Sequence, residues 1–330
     1  MIIATLPHMK TIPTLMAVCA LAGCASTAAP ASPASSAGAV AITNCGAELT
    51  VASPPARAIT LEQNATEILL SLGLADRMAG TSYQTDPVLP SLRAAYDGVP
   101  VLAKLYPSRE KVLETRPDFV YSTFTSAYAP DAAGPRADLA ERGIPAYLSR
   151  FACEDPAAGE KAVSFDGIFA EIAEVATLFG AGDRGRDLVA GLRARLAATT
   201  PHQGTSVLWY YSGTSTPYVA GPNGLPAAVD RQLGLRNVYA DAATTWPAGS
   251  WEQIAARNPD VIVVADLTRG GDGDSARSKI DFLRANPVTA KLDAVRNGRF
   301  ITVAGSAMDP SVRSVTAAEQ VSTGLAELGR

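Results

Sequence analysis

Histidine is nearly absent from this chain. Its 330 residues include two, His8 and His202. His8 precedes or belongs to an N-terminal segment expected to be removed, so a zinc or manganese centre built on several histidines is excluded. Cysteine is scarce as well, at four, and two cysteines with no nearby histidine make a poor metal site. Charged residues are 18% of the chain, the net charge is −4, and no basic stripe suggests a nucleic-acid partner. Beyond residue 45 no apolar run reaches about 18 residues, so no membrane-spanning helix is expected in the mature protein. Hydrolase elbows, paired-histidine motifs and phosphate loops are missing. The stretch "RGGDGDSA" (269–276) lacks the twelve-residue spacing and terminal glutamate of a calcium loop and reads as a surface loop. No cofactor and no resident metal are expected.

What is present points to an exported protein of two domains. The chain is long enough for two, and 47% of it is hydrophobic. From Met9, the expected true start, runs "MKTIPTLMAVCALAGC". One lysine, a short apolar segment and Leu21-Ala22-Gly23-Cys24 resemble a bacterial lipoprotein signal. Residues 1–23 would then be removed and Cys24 acylated. An ordinary secretory signal with a chance cysteine is the alternative. Residues 24–44, rich in Ser, Ala and Pro, read as a flexible tether. Cys19 leaves with the signal and Cys24 takes lipid. Cys45 and Cys153 remain, an even pair in an oxidising compartment, and a disulfide between them is expected, with two buried free thiols as the alternative.

The mature chain alternates strands and helices. "RAITL" (57–61) reads as a buried strand. Asn64 with Glu67 matches a capping box opening a helix that Gly73 ends. "RMAGTS", "DFVYSTF" and "PAYLSR" give further strands separated by helices, hence an α/β lobe with a largely parallel sheet over residues 45–163. Residues 164–200 carry two helices and no strand signal. Ile168, Ile172 and Val175 mark the first, which Ser164 caps. Leu188, Leu192 and Leu196 mark the second, taken as a long rigid interlobe helix. Residues 201–330 resume the α/β pattern. One unit occurs twice: "SREKVLETRPDFVY" (108–121) and "SWEQIAARNPDVIV" (250–263) share Ser, Glu, Pro and Asp at the same four positions. Each lobe therefore holds one copy of a helix–turn–strand unit with a glutamate in the helix's first turn.

In this order, "PPARAITLEQNATEILLSLGLADRMAGTS", the two glutamate-PD units, "GLRNVYADAATTWPAGSWEQI" and "LDAVRNGRFITV" resemble the substrate-binding proteins of ABC importers for ferric siderophores, haem and cobalamin. The resemblance covers about residues 45–328. It implies a ligand cleft between the lobes, small hinge motion, and delivery to a permease dimer driven by a cytoplasmic ATPase. It also implies that Glu110 and Glu252 dock on permease arginines, where charge complementarity sets orientation and on-rate. An acidic residue also favours a helix's first turn through the macrodipole, so the repeat has a purely structural alternative.

The cleft should lie outside the carboxyl ends of the strands. Gln63 and Asn64 end the first strand, though Asn64 also serves as a cap in the capping-box pattern. Tyr83 follows the second strand, and Lys104 and Tyr106 precede the first repeated unit. Tyr218 and Trp246 stand in the second lobe, and Tyr83 and Trp246 match ligand-contacting positions of the family. Arg150 and Arg313 are candidates to pair with an anionic chelate, or else are solvated surface residues. Tyr83 and Tyr106 are the axial-ligand candidates if the chelate is haem.

The expected protein is a monomeric, lipid-anchored receptor in the periplasm or at the cell surface. It would bind a ferric siderophore first, a corrinoid second, haem third. An exported enzyme or a structural lipoprotein are the readings from other classes. The first would show turnover, the second matrix binding without a stabilising ligand.

Overall fold

A computed structural model of the protein describes residues 38–155, 159–271 and 273–330. The expected signal peptide, Cys24 and most of the expected tether lie outside the described residues. The tether's expected end at residue 44 is corrected: residues 40–44 form β1 (Val40–Asn44), antiparallel to β2 (Ala47–Val51). Val40 and Ile42 alternate along the strand and pack on the main core. The turn is Cys45-Gly46, both at positive φ (51° and 78°), as a two-residue I′ hairpin requires.

The first lobe is a parallel sheet. Its strands are β3 (Ala58–Leu61), β4 (Met78–Ser82), β5 (Val101–Ala103), β6 (Phe119–Ser122) and β7 (Ala146–Leu148). They lie in the order β5-β4-β3-β6-β7. The central strands are buried along their length and correspondingly apolar. Asn44 covers the free edge of β7. Its amide donates to the Leu148 carbonyl (2.8 Å) and accepts from the Leu148 N–H (3.0 Å). At the same edge Cys45 and Cys153 form the expected disulfide, their Cα atoms 5.2 Å apart and 108 residues apart in sequence. A loop of that length is worth about 4–5 kcal/mol in the chain-entropy account.

The second lobe repeats the plan. Its strands are β8 (Ser206–Ser212), β9 (Tyr218–Val219), β10 (Arg236–Asn237), β11 (Val261–Asp266) and β12 (Phe300–Ala304). β10-β8-β11-β12 are parallel, and β9 runs antiparallel along the end of β8.

Two antiparallel helices join the lobes. Phe165–Leu178, capped by Ser164 on the Gly167 N–H (3.0 Å), begins against the second lobe, where the Val163 N–H donates to the Asn223 carbonyl (2.7 Å). It ends in the first lobe, where the Phe119 and Phe179 rings meet edge to face at 5.2 Å. Gly182–Ala197 returns. Arg184 donates to the Gly73 carbonyl (2.8 Å) near its start, and Arg195 pairs with Glu319 (2.5 Å) near its end. Sixteen residues span about 24 Å. The expected connector is thus one arm of a helix pair, and both arms cross between lobes. One apolar cluster runs through Leu69 and Phe179 of the first lobe, Leu192 of the connector, and Trp209 and Val315 of the second lobe.

The capping box is a second correction. Helix Gln63–Ser71 leaves β3 directly, with Glu62 in the cap position and no side-chain cap. Asn64 lies inside the first turn. Glu67 accepts from the Gln63 side-chain amide at 3.3 Å but makes no capping bond to the backbone there, because its carboxylate is taken by Arg313 from the far lobe, in a bidentate pair at 2.6 and 2.5 Å. Both side chains are almost fully buried.

Candidate functional site

Strand ends from both sheets converge on one cavity of 430 Å³. β3 delivers Glu62, Gln63 and Asn64; β4 delivers Tyr83 and Thr85; β6 delivers Phe124 and Ser126. Across the cleft β8 delivers Tyr211 and Ser212, β11 delivers Arg269, and β12 delivers Gly305, Ser306 and Asp309. Tyr106, Tyr218 and Trp246 complete the lining. Every strand named here contributes through its carboxyl end, where an open α/β sheet binds its ligand.

The walls are aromatic. Tyr83 and Tyr106 lie 4.7 Å apart in a tilted stack, and Tyr211 and Trp246 lie 5.1 Å apart opposite them. Tyr83 takes φ 55°, a conformation uncommon for a bulky residue, which turns its ring off the strand end. Tyr218 is half exposed at the mouth.

The floor holds a buried acid. Glu62 is 3% exposed and takes φ 134°, ψ 173°, a region nearly reserved for glycine and costing about 1–3 kcal/mol. That backbone turns its side chain under β6. The Thr123 N–H and hydroxyl donate to Oε1. Ser122 Oγ lies 3.0 Å from Oε2 and also 2.8 Å from the Phe124 carbonyl. Burial pushes the Glu62 carboxyl up to about 8, against the Thr123 and Ser122 donors that favour its charged form. Tyr106 hydroxyl stands 3.5 Å from the same carboxyl, and burial first and Glu62 second raise that phenol well above its ordinary range. Asp309 is raised to about 7 by desolvation.

Gln63 lines the cavity but its amide is occupied: it accepts from the Thr85 and Asp86 N–H groups at 3.1 and 2.7 Å. It fixes the loop on which the second lobe rests, where Asp86 accepts from the Ser306 N–H (2.7 Å) and the Thr85 carbonyl from Thr268. Asn64 Oδ1 and Ser306 Oγ are buried in the lining with no partner among the described residues.

Of the residues expected at the ligand, Gln63, Asn64, Tyr83, Tyr106, Tyr218 and Trp246 line the cavity. Lys104, Arg150 and Arg313 do not. Lys104 is exposed outside the lining, Arg150 is held by Glu160 and Glu174 (3.1 and 3.6 Å), and Arg313 is sealed against Glu67. Arg269, in the stretch read as a plain surface loop, is a lining residue. Glu62, Tyr211, Ser306 and Asp309 were not anticipated: Glu62 directly follows β3, Tyr211 lies at the carboxyl end of β8, and Ser306 and Asp309 lie in and just past the short helical turn after β12. His202 sits far from the cleft in sequence and partners, against the Arg330 carbonyl and Ser322.

Fold and cleft define a two-lobed α/β binding protein with its ligand site between the lobes. The family model described as periplasmic binding protein matches residues 59–307, and the chain belongs to that family. A vitamin B12-binding protein of Yersinia pestis (strain Pestoides F) is 26% identical over 225 residues, 67% of this chain and 73% of that protein. A periplasmic binding protein from Veillonella parvula dsm 2008 superposes with a TM-score of 0.77 at 28% identity, covering 87% of this chain and 97% of its own. The ABC-type Fe3+-hydroxamate transport system from Saccharomonospora viridis DSM 43017 gives 0.72 at 25%, covering 87% and 98%.

Proposed function

We propose that this protein is the solute-binding component of an ABC importer, capturing a metal chelate between its lobes and passing it to the permease without transforming it. The observation that carries this is the cavity walled by aromatic pairs from opposite lobes, a large stiff apolar surface with a few placed polar groups. A ferric siderophore is the leading ligand, supported by the hydroxamate-system neighbour. A corrinoid is the second reading, favoured by the vitamin B12-binding relatives. Haem ranks third. A ferric phenolate needs a tyrosine that ionises readily, whereas Glu62 and burial hold Tyr106 the other way.

Glu110 and Glu252 are proposed as the permease contacts, and Cys24 as the lipid anchor after removal of residues 1–23. Thermal-shift screening against ferric hydroxamates, cobalamin and haemin tests the ligand class. A ligand at 100 times its dissociation constant should add about 2.7 kcal/mol of stability. If none of the three raises the midpoint, and ferric catecholates fail as well, chelate capture is wrong. Turnover of any of them would move the protein to the enzymes.

A further inference from the structure

The cleft is lined by acidic side chains and, among the described residues, by no uncommitted cation. Glu62 and Asp309 line it, and Asp86 stands behind Ser306. Among the described residues one cation lines it, Arg269, whose guanidinium is neutralised by Asp274 at 2.8 Å and lies 5.8 Å from the Tyr211 ring centre. The other arginines considered for an anion, Arg150 and Arg313, are held by carboxylates outside it. A polyanion entering here would lose its hydration and meet carboxyl groups, with no uncommitted cation to receive it.

The unpaired atoms point the same way. Asn64 and Ser306 are 3% and 7% exposed, and they face the cavity from opposite lobes. An amide oxygen accepts and never donates, so Asn64 Oδ1 is left open to an N–H or O–H donor entering the cleft. The electron-rich faces of Tyr83, Tyr211 and Trp246 favour a cation over an anion.

Building on chelate capture as the function, we propose that the cleft selects by charge: it takes an uncharged or singly cationic complex with N–H or O–H donors on its rim, and rejects polyanionic complexes. Asp309 faces the positive end, and the donors meet Asn64 and Ser306. The Arg269–Asp274 pair keeps the C-lobe wall from attracting an anion.

Two charge series on fixed scaffolds test this. One is a linear ferric trihydroxamate with a free terminal amine, its N-acetyl form, and a succinylated form. The other is a neutral corrinoid and derivatives with one or more side-chain amides hydrolysed to carboxylates. Affinities are read by intrinsic fluorescence at fixed pH and ionic strength. On whichever scaffold binds, each added negative charge should weaken binding by about tenfold. Asp309→Asn should shrink the preference for the amine over the acetyl form, and Asp309→Arg should recover most of the lost affinity for the anionic forms. Among the described residues no hydrogen bond or ion pair is made by Asp309 that either variant would break, so both should remain soluble for the assay. Anionic members binding as tightly as neutral ones would overturn the charge rule while leaving chelate capture standing. If no member of either series binds, and haemin and ferric catecholates fail as well, both proposals fall.

Discussion

The two lobes are alike at one end and different at the other. Ser108 and Ser250 cap their helices on the N–H three residues on, at 3.3 and 3.4 Å. Val112 and Ile254 are fully buried. Arg116 and Asn258 both take the left-handed conformation, φ 47° and 37°, which lets the chain reverse before the Pro-Asp pair. Asp118 accepts from the Arg57 N–H ahead of β3, and Asp260 from the Ser206 N–H at the start of β8, at 2.9 and 3.0 Å. Ala58 pairs with Phe119 as Val207 pairs with Val261. Counted from these pairs, Glu62 and Tyr211 hold equivalent places at the cleft, yet one is a buried acid and the other an aromatic wall. The repeated unit therefore builds the end of each sheet away from the ligand, and the divergence lies where the ligand binds.

Breaking the tie between the lobes should have the largest effect. Arg313→Ala leaves Glu67 buried without its cation and should cost about 3–5 kcal/mol in urea unfolding. The apolar cluster runs through both lobes, so a single transition is expected. Two separated transitions would show that the lobes are independent units held mainly by this pair.

Glu62→Gln sharpens the comparison at the cleft. The acid's folded value of about 8 lies above its ordinary 4.5. Its contribution to stability is thus complete below pH 4.5, declines as pH rises towards 8, and is constant above. Glutamine reproduces the neutral acid: its oxygen accepts from Thr123 and its amide donates to Ser122. Variant and wild type should match near pH 4.5, and at pH 9 the variant should be the more stable by on the order of a few kcal/mol. Asp230 and Asp309, each raised to about 7, titrate in both proteins and cancel. An equal pH profile for the two would mean that Glu62 is ionised in the native state.

Much of the scaffold was legible because local rules decide it. The strands, Gly73 at positive φ, the Ser164 cap and the two Pro-Asp turns rest on short-range pattern. Asn64 and Glu67 show where local rules mislead. Their spacing fits a capping box, but Arg313, 246 residues on from Glu67, claims the acid. Tyr83 was legible as an aromatic after a strand end, and Trp246 through its place before the second repeated unit and the family resemblance. Glu62, Arg269 and Asp309 were not, because a charged residue is solvated by default, and the opposite lobe is what makes them a lining. Arg150 and Arg313 failed for the converse reason, since Glu160 and Glu174 hold the first and Glu67, from the far lobe, holds the second.

Trp246→Ala should weaken ligand binding by more than about 1 kcal/mol, since it removes half of the aromatic pair on the C-lobe wall. Tyr211 should then carry that wall alone. Unchanged affinity would place the contact elsewhere in the cleft.

The smallest effect on the isolated protein should come from the glutamates that the repeated units share. Ser, Pro and Asp of each unit have a structural duty in both lobes. Glu110 and Glu252 are fully exposed, and their carboxyls fall below the ordinary value through local interactions: Glu110 through its own N–H and then Ser108, Glu252 through Ser250 and then its own N–H. Neither is in the cleft lining. Replacing each with Ala should leave the unfolding midpoint and ligand affinity unchanged. Uptake in cells should fall, with the double variant worse than either single one, because two equivalent charges suit a permease of two like subunits. Replacing either with Arg should lower uptake further by setting like charges face to face. If the Arg variants import at the wild-type rate, the glutamates only favour their own helix starts, and the match between lobes ends at the fold.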